Sequence, residues 1–331
     1  MVGRSDSRGV VERSPAGARE RRGMDTGAAA ITVEGLRKAY AATEALRGIS
    51  FVVPAGAIVA LLGPNGAGKT TTVEILEGHR RRSAGSVSVL GWDPERGGRD
   101  LRERIGIVLQ SAGFDRELTV REVLRLYASF YASPRSVDEV ISLLGLDEKR
   151  SARTCTLSGG QRRRLDLALA LIGDPDLIFL DEPTTGFDPN ARRRSWEAIE
   201  RLRTLGKTIL LTSHYLDEVQ RLADRVVVLA DGLIVAEGPP SSLGGRDVSE
   251  AEVLFRLPDG AAFTDLPEAV RGVARLDDGT VEIHTDSPTK LLYVLTAWAV
   301  ARGAELTALR IVRPSLEDVY LELTRNATEQ P

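Results

Sequence analysis

The chain has 331 residues, a net charge of −3, 42% apolar residues and 27% charged residues. That balance belongs to an ordinary globular protein with room for one large domain and a smaller one. It gives no electrostatic case for nucleic-acid binding, which usually shows a clearly basic domain or stripe, so no nucleic-acid partner is expected.

Residues 1–28 carry Arg4, Arg8, Arg13, Arg19, Arg21 and Arg22, interrupted by Asp6, Glu12 and Glu20. They lack the apolar core of a signal peptide and read as a disordered extension. Ordered pattern begins shortly after Met24, which is the expected true start. Short alternating runs, Ile31-Thr-Val33 and Ser50-Phe-Val-Val53, then predict strands. The runs at 58–62, 177–180, 208–212 and 226–229 are nearly continuous apolar segments, as strands buried on both faces of a parallel sheet are.

Residues 111–150 lack strand signals and read as a helical insert, with Val120, Val123, Leu124 and Tyr127 at helical spacing. Cys155 is the only cysteine, which rules out an intrachain disulfide and suits a reducing compartment. No thiol-activating motif surrounds it. The stretch 159–172 places Leu165, Leu169 and Ile172 on one helix face and stops at Gly173-Asp-Pro175. Asp231-Gly232 marks a hairpin. Three arginine runs, 80–82, 162–164 and 192–194, read as solvated helix faces.

Past Gly238-Pro239-Pro240 and Gly244-Gly245 the chain loosens, and a small α+β domain is expected over 246–326. Its strands fall near 252–257, 281–284 and 306–312, with a buried helix at 289–302 and a last helix beginning at Pro314. The longest apolar stretch, 291–301, belongs to that buried helix. It is too short to span a bilayer, which takes about 20 residues.

Gly63-Pro64-Asn65-Gly66-Ala67-Gly68-Lys69-Thr70 fits G-x-x-x-x-G-K-[ST] without a mismatch. A buried strand feeds it and a helix, starting Thr70-Thr71, leaves it. Such glycines let successive backbone N–H groups turn toward an anion, the helix start adds partial positive charge, and Lys69 reaches outer phosphates. Thr70 can offer its hydroxyl to Mg²⁺. Asp181-Glu182-Pro183 follows the apolar run 177–180 at the carboxyl edge of the expected sheet. Asp181 suits Mg²⁺, and Glu182 suits a base that polarises the attacking water.

Leu157-Ser158-Gly159-Gly160-Gln161 opens the helix before that strand. With the two motifs above, it makes residues 31–237 resemble the nucleotide-binding subunit of an ATP-binding-cassette (ABC) transporter. The resemblance implies an α/β P-loop NTPase cassette over 29–240, with a parallel-sheet core, an antiparallel β subdomain and a helical insert. It implies ATP and Mg²⁺ as ligands, and a head-to-tail homodimer, or a pairing with a related ATP-binding subunit. In that dimer each Ser158-to-Gln161 loop caps the ATP held by the other subunit. It also implies that Tyr40 stacks on adenine, that Gln110 lies near Mg²⁺ and the attacking water, that His214 contacts the γ-phosphate, and that Asp188 lies at the dimer seam. Gly186-Phe187-Asp188 carries Phe where the family more often has Leu, which bears on local packing.

The tail Pro314-Ser-Leu-Glu-Asp-Val-Tyr320-Leu-Glu-Leu-Thr324 resembles the closing segment of subunits that energise ABC-2-type exporters, including the daunorubicin-resistance-like ATPases. Leu76-Glu-Gly78 and Thr212-Ser-His-Tyr-Leu-Asp-Glu218 agree with that branch. A separate integral-membrane permease is therefore the expected partner, holding the chain at the inner face of the cell membrane, with Phe114 and Leu118 as candidate contacts. An importer subunit, or a soluble ABC ATPase acting on ribosomes or DNA, are the alternatives; the single cassette and the lack of sustained heptads weigh against the latter.

Overall fold

A computed structural model describes residues 29–41, 43–108, 117–245, 250–272, 274–277 and 279–328. β1 (Ala29–Tyr40) and β2 (Thr43–Pro54) pair antiparallel, burying Ile31, Val33 and Leu36 of one and Leu46, Ile49, Phe51 and Val53 of the other. This is the alternation expected of strands with one covered face. β3 (Ile58–Leu62), buried at every position, leads into α1 (Lys69–Leu76). β4 (Ala84–Val89) adds antiparallel to β1, giving a three-stranded sheet in the order β2-β1-β4. After α2 (Gly98–Arg102) and β5 (Ile105–Val108) comes the helical insert, with α3 (Val120–Ala128) and α4 (Val137–Leu143). The chain returns through α5 (Gly159–Ile172), β6 (Leu177–Asp181), α6 (Pro189–Thr204), β7 (Thr208–Ser213), α7 (Leu216–Leu222), β8 (Arg225–Ala230) and β9 (Leu233–Gly238).

The large sheet has the order β5-β6-β7-β3-β8-β9, parallel through β8 and closed by antiparallel β9. The β8–β9 turn is the expected Asp231-Gly232, with φ of 47° and 73°, the two left-handed positions a tight hairpin requires. Successive residues of β3 serve opposite faces. Ile58, Ala60 and Leu62 join the core under α5 and α6, while Val59 and Leu61 join the core under β1 and β2. Leu62 pairs with Ser213, and Asp181 pairs with Thr212. Gly63, Glu182 and His214 therefore leave neighbouring strands at one edge. The fold is the expected α/β P-loop NTPase cassette.

The C-terminal part runs β10 (Ala251–Arg256), α8 (Glu268–Arg271), β11 (Ala274–Asp277), β12 (Thr280–Thr285), α9 (Pro288–Ala301), β13 (Thr307–Val312) and α10 (Leu316–Thr328). Its antiparallel sheet, β11-β12-β10-β13, has the β-α-β-β-α-β ferredoxin-like arrangement. Val253, Phe255, Leu266, Val270, Val281, Ile283 and Leu295 form its own core.

Three expectations change here. α9 is a surface helix rather than a buried one: only Leu295 and Ala299 are fully enclosed, and Tyr293 and Val300 are 74% and 77% exposed. α10 does not begin at Pro314. Ser315 precedes its first residue, and the Ser315 and Asp318 side chains satisfy each other's backbone N–H groups at 3.1 and 2.7 Å, a capping box. Finally, α10 closes over the cassette: Leu316 is buried in the cassette core and Tyr320 packs against it.

Candidate functional site

The phosphate loop owes its shape to its neighbours. A Cβ on Gly63 would meet the Leu229 carbonyl oxygen of β8, and one on Gly68, at φ 104°, would stand 2.6 Å from Leu46 Cδ2. Only glycine fits at either place. The Ala67 N–H donates to Pro64 O at 3.2 Å, closing the turn, and Thr72 N–H donates to Gly68 O at 2.9 Å as α1 begins. Asn65 and Gly66 are exposed at the loop's rim, as is Thr70. Lys69 is 7% exposed, and its Nζ donates to the Gly63 and Pro64 carbonyls at 2.6 and 3.0 Å. Burial pulls its pKa down, while the nearby Glu182 and Asp181 carboxylates push the other way. A buried cation, a glycine-shaped loop and a helix start with no acidic residue in its first turn together fit an oxyanion chain.

Asp181 and Glu182 are held from β7 and from their own turn. Thr212 Oγ1 donates to Asp181 Oδ1 at 2.6 Å and accepts the Glu182 N–H at 3.0 Å. Glu182 adopts φ 43°, a left-handed conformation that costs a side-chain-bearing residue about 1–2 kcal/mol. Thr185 Oγ1 donates to Glu182 Oε2 at 3.1 Å, and His214 Nδ1 lies 3.2 Å from Glu182 Oε1. The His214 ring also tilts onto Tyr215, with centroids 4.1 Å apart. Among the described residues no cluster of three metal-ligating side chains occurs. Thr70 and Asp181 suit a cation such as Mg²⁺ that arrives with phosphate and water oxygens of its own.

Tyr40 ends β1, and its hydroxyl is 3.4 Å from Thr71 Oγ1 of α1. Lys38 Nζ and Arg80 Cζ lie 4.9 and 5.2 Å from its ring centroid. Gln110 and Phe114 lie outside the described residues. Leu118 is half-buried against the cassette core.

The signature segment forms a second, separate site. Ser158 caps α5 by accepting the Gln161 N–H at 3.3 Å, and the Gln161 side chain accepts the Ser158 N–H at 3.0 Å. The loop lines a cavity of about 280 Å³ with Gly186, Phe187, Asp188 and Arg194, and no residue of 63–70 lines it. Asp188 caps α6, accepting from the Asn190 and Ala191 N–H groups at 2.9 Å each.

Several residues that support the site escaped the sequence reading. Arg163 was expected on a solvated face but is 6% exposed. Its Nε donates to Pro183 O at 3.1 Å and an Nη2 N–H to Asp181 O at 2.8 Å. The signal was available: Asp166 apart, α5 is apolar from Leu165 to Ile172, so a side chain one turn before that stretch can point inward. Glu218, wholly buried, accepts from Ser213, Thr184 and Trp196 at 2.6, 2.8 and 3.1 Å, tying β7, α6 and the turn after Glu182 together. Glu77, at the end of α1, is pushed up to about 8 by burial and then by the Asp181 and Glu74 charges.

Comparison with known proteins agrees with this geometry. The ABC transporter family profile matches residues 46–185, and a profile for the C-terminal domain of ABC-transporter-domain-containing proteins matches 251–315. The Nod factor export ATP-binding protein I of Burkholderia lata is 37% identical over 303 residues, covering 89% of this chain and 97% of that protein. The protein of the same description from Neorhizobium galegae is 40% identical over 309 residues, covering 91% and 86%. The chain belongs to the ABC transporter ATP-binding subunits. As such it is an ATP-binding protein. Among solved structures, the cbiO1 subunit of Clostridium perfringens, described as part of the ABC transporter complex cbiONQ, superposes with TM-score 0.59 at 29% identity over 65% of this chain and 90% of that one. Another, an ATP-binding subunit of an ABC transporter, gives TM-score 0.57 at 29% identity, covering 64% and 90%. No helix among the described residues of this ABC subunit is long and apolar enough to cross a membrane.

Proposed function

We propose that this ABC subunit hydrolyses ATP to drive an exporter of drugs, antibiotics or other hydrophobic compounds. The observation that carries the hydrolytic part is the convergence of Lys69, Asp181, Glu182 and His214 at the carboxyl edge of one sheet. Lys69 and the N–H groups of Gly63, Gly66, Gly68, Lys69 and Thr70 bind the phosphates; Pro64, Asn65, Ala67 and Thr71 shape the approach, and Tyr40 stacks on the base. Glu182 takes a proton from the attacking water, with His214 steadying its carboxylate from one side and Thr185 from the other. Thr70, Asp181 and Gln110 would hold Mg²⁺, whose charge would offset that of the phosphate oxygens.

Ser158, Gly159, Gly160, Gln161 and Asp188 serve a facing subunit in a head-to-tail dimer. Their cavity, apart from the phosphate loop of the same chain, supports that arrangement. The partner in the membrane is a separate ABC-2-type permease. Leu126 and Phe130, exposed on the helical insert, supply apolar surface for it, beside a cleft of about 660 Å³ lined by Tyr127, Tyr131, Leu101 and Glu77. The curated relatives bear an export description, which favours export over import. Residues 29–240 and 246–326 act as the cassette and accessory domains.

Glu182→Gln tests the reading. Turnover of ATP should fall by about 100-fold or more with nucleotide binding retained and the dimer trapped; unchanged steady-state hydrolysis refutes the base assignment. Purification from native membranes in mild detergent should bring a stoichiometric polytopic membrane protein with the subunit. Recovery with ribosomal or DNA-associated proteins instead would exclude the transporter role.

A further inference from the structure

The conformation of Glu182 requires an explanation, because its left-handed backbone is held from outside its own turn. The residues on either side of it, Asp181 and Pro183, each present a backbone carbonyl to the same side chain. One guanidinium reaches both: Arg163 donates from Nη2 to Asp181 O at 2.8 Å and from Nε to Pro183 O at 3.1 Å. A planar fork can span two acceptors in this way; a lysine ammonium on a flexible stem cannot hold both in fixed directions.

The guanidinium is buried, and burial works against its charge; Asp166, Asp181 and Glu218 offset that cost. Asp166 stands one turn along α5, with Oδ2 3.9 Å from Arg163 Nη1, and is itself buried. Its Oδ1 has no hydrogen-bond partner among the described residues. A charged pair kept in such surroundings contributes little net stability compared with apolar packing. What the guanidinium contributes is direction: a donor fork aimed at the two carbonyls that bracket Glu182.

We propose that Arg163 is a positioning residue that sets the backbone of Glu182 for hydrolysis. The proposal rests on Glu182 being the base. It adds that the aim of this base is set from α5, whose N-terminus is the signature segment. Arg163 lies five residues from Ser158, about 7.5 Å along the helix axis. Contact at the signature cavity by a facing subunit is thereby linked to the geometry of this chain's own carboxylate.

The test uses the purified full chain with Mg-ATP and four proteins: wild type, Arg163→Met, Glu182→Gln and the double variant. Arg163→Met should lower kcat by about 10–100-fold, the scale of a misplaced reacting group, with KM for ATP and binding of a fluorescent ATP analogue within about twofold of wild type. The double variant should turn over at the residual rate of Glu182→Gln alone, because Arg163 acts through Glu182. A loss that multiplies with that of Glu182→Gln, a rise in KM at unchanged kcat, or more than half of wild-type turnover in Arg163→Met would each overturn the proposal. If Arg163→Met does not fold, Arg163→Lys keeps the buried charge but loses the fork, and wild-type kcat in that variant overturns it equally. Normal turnover in Glu182→Gln sinks the base assignment itself; a dead Glu182→Gln beside a fully active Arg163→Met sinks only the role of Arg163.

Discussion

The six-stranded sheet of the cassette is covered on both faces, whereas the four-stranded C-terminal sheet carries a core on one. β3 has no exposed residue; β13, an edge strand, is exposed at every position. The chemistry follows the cover. Glu182 in a strained conformation and a buried Lys69 persist only where packed layers above and below prevent relaxation. The one-sided unit holds no comparable cluster among its described residues, and its link to the cassette is α10, which contributes Leu316 to the cassette core.

The largest effect that would break this contrast is loss of the small core. Phe255 is fully enclosed there, and Phe255→Ala should destabilise the C-terminal unit by about 3–5 kcal/mol. Nucleotide binding by the cassette should survive, seen as an early thermal transition beside a retained ATP-protected one. Loss of ATP binding in that variant would show that the two regions fold as one unit. Lys69→Ala is the converse experiment. Removing the cation at the loop mouth should weaken ATP binding by about 100-fold, or about 2.8 kcal/mol, measured by titration, with both transitions in place.

A smaller effect is confined to the cassette. Glu77 holds its proton up to about pH 8 in the folded protein, against 4.5 for an ordinary glutamate. Between those values the unfolded chain releases a proton that the folded one keeps, so stability falls as pH rises through the window. The slope is at most about 1.4 kcal/mol per pH unit. Glu77→Gln removes it, so urea denaturation should find the variant equal to wild type near pH 4.5 and more stable at pH 8. A parallel pH dependence in the two proteins would place the charge elsewhere. The smallest effect concerns the link. Ser315→Ala removes the cap of α10 and should cost about 1 kcal/mol, read as faster amide exchange along α10 with no change in ATP turnover.

Much of the cassette was legible from residues alone. The runs at 58–62, 177–180, 208–212 and 226–229 are strands of the parallel sheet, because burial on both faces leaves little place for a polar residue, Thr208 and Thr212 standing only at the ends of their run. Helix 159–172 and the Asp231-Gly232 turn also stand where expected, since caps and turns are specified by residues adjacent in the chain. Less visible were β5, whose four residues include a glycine, and α8 and β11, too short to carry a period.

What the sequence by itself determined is the set of local devices: the glycine loop, the strand-ending carboxylates, the Ser158 cap and the hairpin. Each works through neighbours a few residues away. What only the tertiary structure decided is who holds these devices in place. Arg163 looks like one of three solvated arginines until α5 is laid against the turn after Glu182. Glu218 closes a segment that resembles one branch of the family, but its buried role appears only when three elements converge on it. α10 looks like the end of the small unit until Leu316 enters the cassette core. The physical reason is common to all three: burial and pairing across long sequence separation depend on how layers pack, which no local pattern encodes.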